Sequence, residues 1–258
     1  MCLIVVAWRA RADLPLVVAA NRDEWRERPA DPAKWWDTPE ILAGRDRQAG
    51  GTWMGITPEG RFAAVTNFRD PADKRSTARS RGSLITEFLG GDMAPLAFAN
   101  SLVPHVRDYN GFNLILGDGE SLLYFGSREG EAREIAPGVH GLSNHLLDEP
   151  WPKVLRGSAA MEAALADPDP APRLFEMLSD PDGAPDERLP ATGVGLAWER
   201  RLAAPLITGD DYGTRASTVV SLSGTGEARF EERTRTSNGE VSGVAQYRFA
   251  LRAPARVG

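Results

Sequence analysis

A chain of 258 residues, 42% hydrophobic and 26% charged, can bury one large core and has the balance of a soluble globular protein. Its 30 basic and 36 acidic side chains leave a net charge of −6, which gives no general attraction to phosphate backbones and argues against a nucleic-acid partner. A single cysteine excludes an internal disulfide, and a free thiol fits a reducing compartment.

The start, residues 2–8, is apolar but short, and Arg9 and Arg11 follow at once. It is neither a signal peptide nor a membrane span, so no membrane insertion is expected and the chain reads as cytoplasmic. Residues 3–8 form a β-branched run of the kind seen in fully buried strands, and residues 15–20 supply a hairpin partner. Residues 24–50 are rich in Arg, Asp and Pro and read as a long surface loop, ordered by Trp25, Trp35 and Trp36. A hairpin follows over 50–66, turning at Pro58–Gly60. Helices are expected from Ser83 and over about 94–106. Phe112–Leu116 and Leu122–Phe125 flank the turn Gly117-Asp-Gly119, and short strands follow at 132–136 and 139–143. Residues 151–165 read as a helix, 167–192 as a Pro/Asp-rich stretch with a short helix at 172–178, and 217–222, 228–234 and 244–251 as strands. Most strand pairs are joined by tight turns, so the sheets are antiparallel. Strands apolar on both faces need cover on both sides, which two stacked sheets with helices outside provide. The chain, 1–258, reads as a single domain. Lysine occurs only at 34, 74 and 153, an arginine bias that suggests a GC-rich bacterial genome.

The only cysteine is the second residue. Aminopeptidases remove Met1 when a small residue follows, leaving Cys2 with a thiol and a free α-amine together. The thiolate is the reactive form of a group that titrates near ~8.5. An α-amine titrates near ~7.7–8.0 and so holds or passes a proton at neutral pH. A nucleophile served by its own amine is a known arrangement. The plain alternative is a small buried hydrophobe.

Four other segments set polar side chains at strand ends: Asn21-Arg22-Asp23-Glu24, Thr66-Asn67-Phe68, Ser143-Asn144-His145 and Gly213-Thr214-Arg215. Any one alone reads as a turn. Taken together, Cys2, Asn21-Arg22-Asp23-Glu24, Gly50-Gly51-Thr52-Trp53, Thr66-Asn67-Phe68 and Gly213-Thr214-Arg215 resemble the NRDE family, which includes the transport-and-Golgi-organisation type. That family is similar in turn to the N-terminal-nucleophile (Ntn) hydrolases of the bile-salt hydrolase and penicillin V acylase group. The resemblance implies an α+β fold, a four-layer αββα sandwich. It implies a catalytic set of Cys2, Asp23, Asn67, Asn144 and Arg215. Asp23 would lie beside the α-amine, Asn67 in the oxyanion site and Arg215 beside the sulfur. Asn21, Arg22, Trp53, Phe68 and His145 would line the substrate. The group's orienting arginine falls on Ala20, and Arg22 is expected to point elsewhere, because neighbouring residues of a strand face opposite ways.

His105, His140 and His145 show no metal-binding spacing, and no cofactor is expected. Gly-x-Ser-x-Gly is absent, which argues against an α/β-hydrolase. The leading expectation is hydrolysis of a small non-peptide amide. The alternative is a non-catalytic carrier of an acyl lipid or haem on the same fold, with an apolar cleft around Trp25, Trp35, Trp36 and Trp53.

Overall fold

A computed structural model describes residues 2–252, and of Cys2 only the backbone. The apolar run at the start becomes β1 (Cys2–Arg11), which turns tightly into β2 (Leu14–Trp25). These two lie inside a six-stranded sheet with β10 (Gly138–Leu142), β11 (Tyr212–Leu222), β12 (Glu227–Arg235) and β13 (Val241–Ala250), in the order β10-β1-β2-β11-β12-β13. The second sheet has seven strands in sequence order. They are β3 (Ala30–Trp35), β4 (Leu42–Asp46), β5 (Met54–Ile56), β6 (Phe62–Asn67), β7 (Phe112–Gly117), β8 (Leu122–Gly126) and β9 (Ala132–Glu134). Every pairing within both sheets is antiparallel.

The two sheets stack face to face over a core that includes Ile4, Val6, Val18, Phe62, Ile115, Tyr124 and Phe230. Outside the seven-stranded sheet, α1 (Gly82–Gly90) and α2 (Pro95–Leu102) bury Leu84, Phe88 and Phe98 against Leu114, Leu116 and Phe125. Outside the six-stranded sheet, α3 (Pro152–Ala164) and α4 (Ala171–Leu178) bury Val154, Met161, Leu174 and Phe175 against Leu3, Val5, Val17 and Val219. The fold is therefore the expected α+β sandwich of two stacked antiparallel sheets between helix layers. Among the described residues no helix is long and apolar enough to cross a membrane.

The stretch 24–50 is not one long loop. It carries β3 and β4, the outer strands of the seven-stranded sheet. Pro32 and two aspartates hide them from a propensity reading, and β3 tolerates Pro32 because it lies at the sheet edge, within a register irregularity. The expected helix over 94–106 splits into α2 and a 3₁₀ turn at Val103–Asp108, which contains Pro104. A short helix, α5 (Leu196–Leu202), is an addition that the sequence reading lacked.

One close approach joins the second sheet to its helix layer. A Cβ at Gly51 would lie 2.5 Å from the Gly82 carbonyl carbon and 2.6 Å from its oxygen. Backbone cannot rotate away as a side chain can. Gly51→Ala is therefore expected to lower unfolding free energy by about 1–3 kcal/mol through overpacking, read as a lower urea midpoint.

Candidate active site

The site is built on the end of β2. Leu16, Val18 and Ala20 face the core between the sheets, whereas Val17 and Ala19 face the helix layer. The same alternation sends Asn21 and Asp23 toward the helices, and Arg22 toward the other sheet. β1 pairs with β2 so that Cys2 is opposite Arg22 and Leu3 opposite Asn21. The side chain of Cys2 lies outside the described residues.

Asp23 is 1% exposed, and its Oδ1 accepts a 2.8 Å hydrogen bond from the Thr214 hydroxyl of β11. The same hydroxyl oxygen accepts from the Ile207 amide at 2.9 Å. Burial pushes the Asp23 carboxyl above its usual range, and the Lys153 ammonium, the Thr214 bond and the Arg22 guanidinium oppose that rise. Lys153 is itself fully buried, on the inward face of α3. Asn21 lines neither of the two large cavities described below. Its Nδ2 donates to the Leu178 and Pro205 carbonyls, both at 2.8 Å, and so ties α4 and the 205 segment to the sheet.

Arg22 corrects one expectation. It shares the face of Ala20, because positions 20 and 22 are two apart and a strand repeats every two residues. Its guanidinium stacks 4.4 Å from the Trp53 ring centre, and its Nη2 lies 3.8 Å from Glu24 Oε2. On the same inter-sheet face sits Glu232, whose carboxylate accepts from the Ala33 amide at 2.7 Å and the Thr218 hydroxyl at 3.3 Å. Burial raises the Glu232 carboxyl to about 7, with the Ala33 and Thr218 bonds and Arg22 opposing.

Asn67 ends β6 and lines the cleft described below. The Asn144 Nδ2 donates to the Asn67 carbonyl at 2.8 Å, and the Asn144 carbonyl accepts from the Arg69 amide at 2.7 Å. Asn144 is thus fixed against Asn67, while its buried Oδ1 has no hydrogen-bond partner among the described residues. His145 packs between Phe68 and Trp151, with ring centres 4.9 and 5.8 Å away, and its Nδ1 lies 3.2 Å from Glu149 Oε2. It is not among the residues lining either cavity, so the expected substrate contact is not made there.

The Arg215 guanidinium braces the turn after β2, and the sulfur beside which it was expected lies outside the described residues. The β2–β11 register shifts between Thr214 and Ala216, and a bulge re-aims the residue it contains. Its Nη1 donates to the Trp25, Arg26 and Arg28 carbonyls at 2.8, 3.2 and 3.1 Å, bracing the turn after β2.

Two adjoining cavities meet at Glu24, Asn67, Lys74, Arg81 and Asn110. One, of about 610 Å³, is walled by Trp25, Phe68, Val194, Trp198, Leu202 and Tyr212. The other, of about 450 Å³, includes Arg22, Asp23, Asp46, Trp53, Arg75 and Arg79 in its walls. Trp25 and Trp53 therefore border the cleft, but Trp35 and Trp36 do not; Trp36 is buried in the core under α1 and Trp35 packs on Phe249. A buried ion pair holds the aromatic wall. Arg69 Nη1 donates to Glu199 Oε2 of α5 at 2.6 Å, and Glu199 Oε1 accepts from the Thr192 amide and hydroxyl at 2.8 and 2.6 Å. Among the described residues no group of three His, Cys, Asp or Glu side chains could hold a metal ion.

The family described as Transport and Golgi organisation 2 matches residues 1–237. The chain belongs to that family. It is 38% identical over 237 residues to the Bos taurus Transport and Golgi organization protein 2 homolog, a match covering 84% of this chain and 86% of that one. The Mus musculus homolog is 33% identical over 261 residues, covering 92% and 93%. These family members are animal proteins, so they do not speak for the bacterial source expected from the arginine bias. Among solved structures, a Caenorhabditis elegans N-acylethanolamine-hydrolyzing acid amidase ortholog aligns with a TM-score of 0.38 and 11% identity, covering 84% of this chain and 92% of that one. A mutant conjugated bile acid hydrolase of Clostridium perfringens aligns with a TM-score of 0.41 and 9% identity, covering 96% and 92%.

Lys153, Thr214, Glu199 and Glu232 were not singled out as site residues from the sequence, yet two left a trace in it. Lys153 falls on the helix stripe of Gly157, Met161 and Ala164, and Glu232 follows Ala228 and Phe230 at strand period, so both occupy positions patterned for burial. Two outcomes are expected. The folded state binds the Glu232 proton more tightly than the unfolded state does, so stability falls as pH rises from 4.5 to about 7. Glu232→Gln should remove that fall and gain roughly 3 kcal/mol above neutrality, read from urea midpoints across pH. Glu199→Gln breaks a buried pair and should cost about 3–5 kcal/mol, read in the same way.

Proposed function

We propose that this chain is a cysteine amidohydrolase of the N-terminal-nucleophile type, acting on a small non-peptide amide. The observation that supports it best is the buried Asp23 carboxylate in the cleft, one residue past the position opposite Cys2. Removal of Met1 leaves an α-amine on residue 2, and a charged amine needs such an acceptor to hold it. Lys153 opposes part of the upward push that burial gives the Asp23 carboxyl. The free Oδ1 of Asn144 is a second acceptor for the amine.

In this reading the α-amine takes the thiol proton and the sulfur attacks the amide carbon. A C–S bond forms as the carbonyl π pair moves onto oxygen. The Asn67 side-chain amide donates to that oxyanion. Collapse breaks the C–N bond, and the leaving amine takes the proton from the α-ammonium. Water then adds to the thioester, and the carboxylic acid leaves as the thiol is restored. The sum is amide plus water giving acid plus amine.

Intact mass is expected to show the chain beginning at Cys2, and retention of Met1 in every molecule would end the proposal. A thiol-directed lactone or amide probe should label the protein but not Cys2→Ala. Asn67→Ala should slow acylation on the order of 10²-fold while leaving the thiol reactive to a simple alkylating agent.

A second reading has its own support. Trp25, Trp198 and Tyr212 form a mutual edge-to-face cluster, with ring centres 5.3–5.9 Å apart, in the wall of the larger cavity. That wall suits an acyl chain carried without turnover; its lining includes no histidine that could ligate haem. Acyl lipids should then quench tryptophan fluorescence saturably, and an unchanged spectrum counts against a carrier role.

A further inference from the structure

Arg22 is a charged group with an unused donor. Its side chain is 6% exposed, and its Nη1 is shielded from solvent with no hydrogen-bond partner among the described residues. Its one ion-pair partner there, Glu24, lies at 3.8 Å, too far for a hydrogen bond. Glu232 adds negative potential from within the inter-sheet layer, yet its carboxylate accepts from the Ala33 amide and the Thr218 hydroxyl. A buried donor left unmade is costly, and more so on a charged group. The stack on Trp53 fixes the guanidinium plane but satisfies no N–H. The chain therefore holds, at some cost, a permanent cation that presents one free N–H.

Its location suggests the anion. Arg22 lines both the crevice between the sheets, with Ile4, Ala20, Trp53 and Thr218, and the 450 Å³ cavity. The β1–β2 register sets residue 2 directly opposite it. Arg215, another guanidinium near this strand end, spends its Nη1 on three carbonyls. We propose that Arg22 is the residue that holds the Cys2 sulfur as thiolate, through the Nη1 N–H that the rest of the protein leaves unused. This rests on the nucleophile reading above. It assigns thiolate stabilisation to Arg22 and leaves Arg215 as a brace for the turn. An arginine suits the task because it stays protonated throughout the working range.

The single cysteine makes the test clean, since alkylation by iodoacetamide reports one thiol. Intact mass is followed against pH, and the midpoint of the profile is read rather than its plateau, because a less basic thiolate is also less nucleophilic. In the wild type the midpoint should lie below the free-thiol value of ~8.5. Arg22→Met should raise it by about one unit or more, a tenfold loss of thiolate at pH 7, and Arg22→Lys should restore most of it. Above about pH 7, where Glu232 is ionised and competes for Arg22, Glu232→Gln removes that anion, so its midpoint should move the opposite way, by about 0.3 unit. Circular dichroism shows which variants fold; should neither arginine variant do so, the direction of the Glu232→Gln shift decides. A low wild-type midpoint that is unchanged in Arg22→Met, or unmoved in Glu232→Gln where that decides, overturns the role of Arg22 and leaves the nucleophile standing. An ordinary midpoint in a chain that begins at Cys2 and still hydrolyses the probe does the same. Retained Met1 with no labelling overturns both.

Discussion

A strand buried on both faces sends its side chains to two compartments, and β2 uses both at one place. Its neighbours β1 and β11 pin it in the middle of the six-stranded sheet. The period of two then leaves no freedom: Asn21 and Asp23 go under the helices, and Arg22 goes between the sheets. A slip of one residue would bury the guanidinium under α4 and turn the carboxylate into the inter-sheet layer. The tie from Asn21 to the Leu178 and Pro205 carbonyls resists that slip, because a slipped strand would leave two buried acceptors without a donor. Asn21 thus acts as a register lock for the polar tetrapeptide that contains it.

Charge is concentrated where this lock operates. Asp23, Lys153, Arg69, Glu199 and Glu232 are all nearly or fully buried, and all but Glu232 lie toward the helix layer or the walls of the cleft. Burying an ion is costly unless others compensate, and here each is reached by an opposite charge or a directed hydrogen bond. Lys153 acts on Asp23, Glu199 binds Arg69 directly, and Arg22 moderates Glu232. A sandwich of this kind is held together by apolar layers that need no ions. The ions therefore mark the end of the sheet where chemistry is proposed.

Much of this was legible in the chain. The apolar run at 3–8, its partner at 15–20 and the glycine turns at 117–119 announced antiparallel sheets needing cover on both sides, and the layers follow. The polar strand ends at 21–24, 66–68 and 143–145 do reach one region, because strand ends on the same edge of stacked sheets are neighbours. Three things were hidden. β3 and β4 carry Asp and Pro residues that propensity assigns to loops, yet edge pairing accepts them. α5 has seven residues preceded by Gly193 and Gly195, too short for a periodic signal. The aim of Arg215 depends on a one-residue bulge, which no pattern of side-chain types reveals. The placement of Arg22, by contrast, was available from parity alone.

The Arg69–Glu199 pair gives the aromatic cavity a particular character. It fastens α5, and with it Trp198, to the chain just beyond β6, and Thr192 adds two further bonds from the segment before the helix. A wall anchored by a desolvated ion pair is rigid before any guest arrives. On either proposed reading, the ordering entropy of that wall would be lost during folding and not during association, so a substrate or lipid would be sorted by shape and length against a preformed surface. Such a recess would favour a narrow set of molecules and give little adaptive welcome to the rest.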